Sequence, residues 1–307
     1  PQDPNDEPAS LLLERIRAEK ERLIKEKKIK RSKNESIIYR GEDNSYYEKF
    51  ADGMVKCIDD EIPFEIPASW EWRRLGSIID FSKSNSVKSD SIPDDIWVLD
   101  LEDIEKDTGN LLTKKRKVDV EVKSEKHIFF IGNVLYSKLR PYLNKVIIAD
   151  ENGVCTSEIL AFDFGLIFNK YAQAFLMSPY FTDYAMSDAY GVKMPRLGSK
   201  QGNNALMPIP PINEQYRIIA QIESISPKIS IYGQAQSELD QLNITVKDRL
   251  KKSILQEAIQ GKLVPQDPND EPASVLLERI RAEKERLIKE KKIKHDKNES
   301  IIYKGDD

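Results

Sequence analysis

At 307 residues the chain has room for one large or two modest domains, each with its own core. Charged residues make up 33 % of it but nearly cancel, to a formal net charge of -4. This excludes the uniformly basic footprint of a small nucleic-acid binder and leaves room for locally focused basic surfaces. Cys57 and Cys155 are too few for a disulfide framework and fit a reducing cytosol. His127 and His295 do not supply an ordinary zinc site, and no apolar run nears the ~20 residues of a membrane span.

The chain begins with proline, which points to a start inside a longer natural polypeptide. Residues 1–43 recur almost unchanged as residues 265–307, with mild differences such as Leu11 against Val275 and Arg31 against His295. Two copies so far apart do not make a solenoid. They frame one unit of different sequence, and the simplest parent has two such units, each followed by the same segment. Within the repeat, PQDPNDEP is turn chemistry. Ser10 reads as an N-cap opening a Lys/Glu-rich helix to about Lys30. Leu12, Leu13, Ile16, Leu23 and Ile24 form only a thin apolar stripe, so a solvated helix with i,i+4 ion pairs is favoured over a partner-docking helix.

Residues 46–69 read as a linker, and residues 70–208 as an α+β domain. Candidate strands are Ile96–Leu101, His127–Ile131, Asn133–Ser137, Lys145–Ala149 and Glu158–Phe164. Helices are expected at 167–178 and 179–188. Residues 209–264 are helical. Ser226-Pro227 signals a helix start, after which Ile229, Tyr232, Leu239, Leu242, Val246, Leu250, Ile254 and Ala258 mark a narrow seam. A helix of ~34 residues is about 50 Å long and asks for another long helix as partner. The expected architecture is one mixed domain (70–208) attached to a long coiled-coil-type spacer (209–264), flanked by helical repeat copies at 1–45 and 265–307.

Catalytic motifs are missing: no G-x-G-x-x-G, Walker loop or H-E-x-x-H, and no Asn-Pro-Pro-aromatic tetrapeptide of an adenine methyltransferase. Pro93-Asp94 ahead of Glu121-Val122-Lys123 matches the order in which carboxylates and a lysine hold Mg²⁺ in many nucleases. The spacing is loose, and these residue types are abundant enough here for chance matches. Cys155 lacks a histidine base in any familiar pattern and reads as a small buried residue. Two basic loops stand out. Residues 136–145 carry Lys138, Arg140, Tyr142 and Lys145 with no acid. Residues 193–203 carry Lys193, Arg196, Ser199, Lys200 and Gln201, also with no acid. Arginine offers a bidentate fork to guanine, Gln can pair with adenine, and lysine and serine suit phosphate oxygens. On composition alone, solvated loops explain these residues equally well.

Four stretches in order carry a family resemblance: Trp70-Glu71-Trp72-Arg73-Arg74-Leu75-Gly76, Gly132-Asn133-Val134-Leu135-Tyr136-Ser137-Lys138-Leu139-Arg140-Pro141, the run from Met194-Pro195-Arg196-Leu197 through Pro208-Ile209-Pro210-Pro211-Ile212 to Glu214-Gln215-Tyr216-Arg217-Ile218-Ile219, and Ser253–Leu263. Together they resemble the specificity subunits of type I restriction-modification enzymes, with Asn133 where aspartate is common. The resemblance implies a non-catalytic, cytoplasmic DNA-reading subunit without cofactor or metal. Its target recognition domain reads one half of a bipartite site in double-stranded DNA. Its spacer helices position methyltransferase (M) subunits for DNA methylation, and restriction/translocase (R) subunits join them. With one recognition domain present, a homodimer through the spacer helix is expected to supply the missing mate. The nine residues of the two basic loops are the expected DNA face. The alternatives are a Mg²⁺-dependent nuclease using Asp94, Glu121 and Lys123, and a structural coiled-coil adaptor.

Overall fold

The structure, a computed structural model, describes residues 2–27, 35–79, 81, 85–187, 189–191, 193–295, 300 and 302. The chain divides into two units, Pro1–Lys228 and Ile229–Asp307.

In the first unit, α1 (Ala9–Lys25) begins one residue before the expected Ser10 cap. Pro8 holds the cap position and makes no side-chain cap bond. The first orphan N–H, on Ala9, donates instead to the Ser69 carbonyl (3.0 Å), so a tertiary contact does what a polar cap would have done. Lys27, at φ 57°, closes the C-terminus in the left-handed region, earlier than the expected Lys30, which lies outside the described residues.

Next come β1 (Ser36–Arg40), β2 (Tyr46–Phe50) and β3 (Val55–Cys57), an antiparallel sheet in that order. The expected linker therefore holds two strands, β2 and β3. The turns of the sheet sit at residues 41–45, with Asn44 at φ 66°, and at Gly53, at φ 90°. The sheet is fastened because Ile38 and Tyr46 share an apolar cluster with Trp72 and Leu206. The buried Glu48 carboxylate accepts from the Arg74 guanidinium (2.7 Å).

β4 (Glu71–Arg74) runs into α2 (Leu75–Ile78). There follow β5 (Ser86–Val87), β6 (Trp97–Leu99), β7 (Lys115–Arg116), β8 (Lys126–Phe129), β9 (Val134–Ser137), β10 (Val146–Ile148), β11 (Gly153–Cys155) and β12 (Ile159–Phe162). One sheet has the order β5-β8-β11-β6-β7, with β11 parallel to β6; the other has β10-β9-β12, all antiparallel. β9 explains its own uninterrupted apolar run. Leu135 joins Trp97, Phe129 and Ile159 in one cluster, while Val134 and Tyr136 join another with Phe162, Phe175 and Phe181. With period 2 and both faces covered, every residue of the strand is buried. In β11, Gly153 is required opposite Phe129 of β8, since a Cβ there would lie 2.3 Å from the Phe129 ring. Cys155 is fully buried as expected, and burial raises its thiol pKa to about 12.

α3 (Asn169–Leu176) and α4 (Pro179–Ser187) match the two expected helices, and α5 (Ser199–Asn204) leads into β13 (Leu206–Ile209). β13 pairs with β4, Met207 opposite Arg73 and Pro208 opposite Trp72, so the two ends of the domain are neighbouring strands. α6 (Ile212–Ile259) then begins with a set of clamps. Glu214 accepts from the Trp70 indole (2.9 Å). Gln215, fully buried, accepts from the Phe168 N–H and donates to the Pro210 carbonyl, both at 3.0 Å, and Arg217 pairs with Asp6.

The helix start expected at Ser226-Pro227 is not there: α6 is continuous across it, with Pro227 inside. The 3.6-residue spacing of Ile218, Ile219 and Ile222 upstream outweighs the cost of an interior proline, of order 3 kcal/mol. The Ser226 hydroxyl donates to the Ile222 carbonyl (3.0 Å) in that turn. In the second unit the rest of α6 is exposed, including Ile229, Tyr232, Leu239 and Leu242, and α7 (Ala273–Lys289) has no buried residue, with only Lys284, Leu287 and Ile288 partly covered. Among the described residues no helix is long and apolar enough to cross a membrane.

Candidate nucleic-acid interface

The two basic loops, nearly fifty residues apart in sequence, meet in the first unit. The turn after β9 places Arg140 at φ 51° and Asn144 at φ 49°, so a short 3-10 turn, Pro141–Leu143, is bracketed by left-handed residues. Such backbone costs on the order of 1–3 kcal/mol per residue and persists only where surroundings fix it. Here they do. The Arg140 N–H donates to the Pro195 carbonyl (2.7 Å) and the Leu197 N–H to the Lys138 carbonyl (3.0 Å), while Leu139 and Arg196 form a β-bridge. Arg196 bridges in turn to Tyr190. The Asn144 side chain donates to the Met177 carbonyl (3.0 Å), tying the turn to the end of α3.

On this platform the expected residues separate into free and occupied. Lys138, Arg140, Lys193 and Lys200 make no ion pair among the described residues, and Lys193 and Lys200 are exposed. The Arg140 Nε is buried without a partner among the described residues, and Tyr142 is 47 % exposed. Ser199 opens α5 and is exposed. Arg196 is occupied. Its Nε and Nη2 both reach the Glu158 carboxylate (3.0–3.2 Å), a bidentate pair whose hydrogen bonds raise the guanidinium pKa above its ordinary value. Lys145 donates to the Leu101 carbonyl (2.6 Å). Gln201 donates to the Tyr184 carbonyl (3.0 Å) and accepts, through its own backbone carbonyl, from the Tyr184 hydroxyl (2.9 Å). Those two side chains are tied inward. Gly202 allows α5 to lie against Phe81, whose ring a Cβ would approach to 2.5 Å.

Two features had no usable signal in the sequence. Glu158 supplies both the counter-charge of Arg196 and the carbonyl that accepts from the Lys138 N–H (3.0 Å); spacing does not connect it to either loop. The other is the run Lys114-Lys115-Arg116-Lys117, the densest basic stretch of the recognition-like domain. All four are paired: Lys114 with Asp150, Lys115 with Asp103, Arg116 with Glu151, Lys117 with Asp94. That last pair separates the nuclease-like set. Asp94 faces Lys117, while Glu121 and Lys123 pair with each other, 77 % exposed on both sides. No group of three His, Cys, Asp or Glu able to hold a metal occurs among the described residues. Asn133 stands in the turn before β9, its side-chain oxygen accepting from the Phe130 N–H (2.9 Å), a role an aspartate there would fill equally.

No family model matches the chain. It is similar to the type I restriction enzyme EcoAI specificity subunit of Escherichia coli, 32 % identical over 346 aligned positions that cover 97 % of this chain and 55 % of that protein. It is 30 % identical to the EcoEI specificity subunit of the same organism over 348 positions, 97 % of this chain and 54 % of the relative. The chain thus spans about half the length of the curated relatives it matches. The HsdS subunit from Thermoanaerobacter tengcongensis aligns at TM-score 0.48 and 18 % identity, covering 69 % of this chain and 54 % of that one.

Proposed function

We propose that this chain, which belongs to the family of type I restriction enzyme specificity subunits, reads one half of a bipartite site in double-stranded DNA and has no catalytic centre of its own. One observation carries the reading. Main-chain hydrogen bonds join two acid-free loops into a single surface on which Lys138, Arg140, Lys193 and Lys200 stay unneutralised, on a chain whose net charge is -4. Local positive potential on a globally acidic protein favours a phosphate backbone at that face and repels it elsewhere. In this reading the Arg140 fork and Tyr142 suit base edges or sugars, and the lysines and Ser199 suit phosphate oxygens.

In the same reading, the exposed seam of α6 docks methyltransferase (M) subunits and a second long helix, supplied by a homodimer partner, and restriction/translocase (R) subunits join the methyltransferase in the cytoplasm. The domain boundaries follow: 70–208 for recognition, 209–264 for the spacer, 1–45 and 265–307 for the repeat segments, with 46–69 as the structured approach rather than a loose link. The test is to mix the chain with a cognate methyltransferase subunit and map adenine methylation on random-sequence DNA. A recurrent half-site supports the reading; methylation without sequence preference, or none, overturns it.

A further inference from the structure

Among the described residues, Arg196 is the one cation of the two basic loops with an acidic partner, and the fold fixes it from backbone to tip. Its main chain bridges to Leu139 on one side and exchanges two hydrogen bonds with Tyr190 on the other (2.9 and 3.2 Å). Its side chain is gripped by Glu158 at the entry to β12. Glu158 is anchored in turn, its carbonyl accepting from the Lys138 N–H (3.0 Å) and its neighbour Ile159 pairing with Ser137 of β9. Nε donates to both carboxylate oxygens (3.1 and 3.2 Å), Nη2 to one of them (3.0 Å), and Nη1 to the Met194 carbonyl (3.3 Å). One N–H on each terminal nitrogen is left without a partner among the described residues, and the side chain keeps 30 % of its surface exposed.

Such a group is poorly suited to a phosphate and well suited to a base. Counterion release needs an uncompensated cation, and the Glu158 carboxylate would repel a phosphate oxygen placed against the pair. Guanine offers two neutral acceptors, O6 and N7, which match the two remaining N–H groups. The cytosine opposite it presents an amino donor, which a nearby carboxylate tolerates. A fork held in one rotamer before binding also loses little freedom on contact, so the arginine does not bend to accommodate a wrong base. We propose that Arg196 is a guanine-reading residue of this face and that Glu158 is its positioning residue. Lys138 and Arg140, on either side of Leu139 across the bridge, supply the charge. This rests on the reading of the two loops as a DNA face and adds to it which cation discriminates.

The full chain is taken through selection from random-sequence duplex DNA. Each guanine of the recovered motif is then replaced in turn by 7-deazaguanine, which keeps the base pair and lacks the N7 acceptor. At one guanine the replacement is expected to weaken wild-type binding about ten-fold or more in fluorescence anisotropy, and to change binding of Arg196→Met by less than about two-fold. Glu158→Gln is expected to lose discrimination at that same guanine while binding unrelated duplexes at least as tightly as wild type; a merely structural role would weaken both. A motif with no such guanine, or one whose sensitivity survives undiminished in Arg196→Met or in Glu158→Gln, overturns the proposal and leaves the DNA face standing. A wild-type chain that recovers no motif overturns that face, and the proposal with it. Should Arg196→Met unfold the chain by circular dichroism, Arg196→Met combined with Glu158→Gln removes both charges together, and the same scan decides.

Discussion

Two basic regions of the first unit look alike in sequence and differ in the structure. The run 114–117 packs four cations into four consecutive residues, and each faces a carboxylate contributed by another segment. The loops 136–145 and 193–203 are sparser, yet five of their six cations lack any acidic partner among the described residues, and of these only Lys145 is tied to a backbone carbonyl. Local cation density therefore does not locate the positive field of this protein. What locates it is which acids the fold delivers to which cations, because a pair within ~3 Å cancels at the distance of an approaching phosphate.

The largest effect that would break this contrast comes from neutralising each region in turn. Lys138, Arg140, Lys193 and Lys200 changed together to Gln are expected to lower the slope of log affinity against log salt by about 3–4, at roughly 0.9 per lost phosphate contact, measured by fluorescence anisotropy on duplex DNA. The same change at 114–117 is expected to leave that slope within half a unit. Equal losses would mean that pairing does not decide the face.

Arg140→Ala is the next largest. At a base contact it costs about 1–3 kcal/mol and relaxes one position of the recognised half-site; at a phosphate it weakens all sequences alike. Selection from random DNA with the variant separates these outcomes.

Lys115→Ala sharpens the other side of the comparison. Lys115 donates to Asp103, which is 2 % exposed, and that hydrogen bond holds the ammonium protonated above its usual range. Removing it leaves a buried carboxylate short of one partner. About 1–3 kcal/mol of stability is expected to go in urea unfolding, with DNA affinity of the folded fraction unchanged.

The smallest effect is a gain. Glu158→Gln frees Arg196 from its only ion pair among the described residues and is expected to raise the salt slope by up to about 0.9. An unchanged slope would place Arg196 away from the duplex.

Much of the fold was legible because it depends on short-range pattern. Strands β6, β8, β9, β10 and β12 and helices α3 and α4 fall where alternation and turn residues put them, within a residue or two, while β7 and β11, two and three residues long, carry too little pattern to be read. The sheet of β1 to β3 escaped for a specific reason. Ile37, Ile38 and Tyr39 lie at the end of a repeat whose helix dominates its pattern, and β1 pairs with β2 and rests on Trp72, both outside the repeat. Pro227 misled because a local start signal competes with apolar spacing that runs through it. At the candidate interface, the sequence supplied the two loops but not their contact or the inward ties of Lys145 and Gln201. It gave no hint of Glu158.

The sequence by itself determined most of the helices and the longer strands of residues 97–162, that one segment occurs twice, and that basic residues cluster in two acid-free loops. Period, turn chemistry and composition act over a few residues and need no partner. Only the tertiary structure decided which cations remain unpaired, which copy of the repeat is buried, and that Arg140 and Pro195 are neighbours. Charge pairing and burial depend on groups brought together across the whole first unit, as Asp103 to Lys115 and Asp6 to Arg217 are here. No local pattern encodes a partner that lies a hundred residues away.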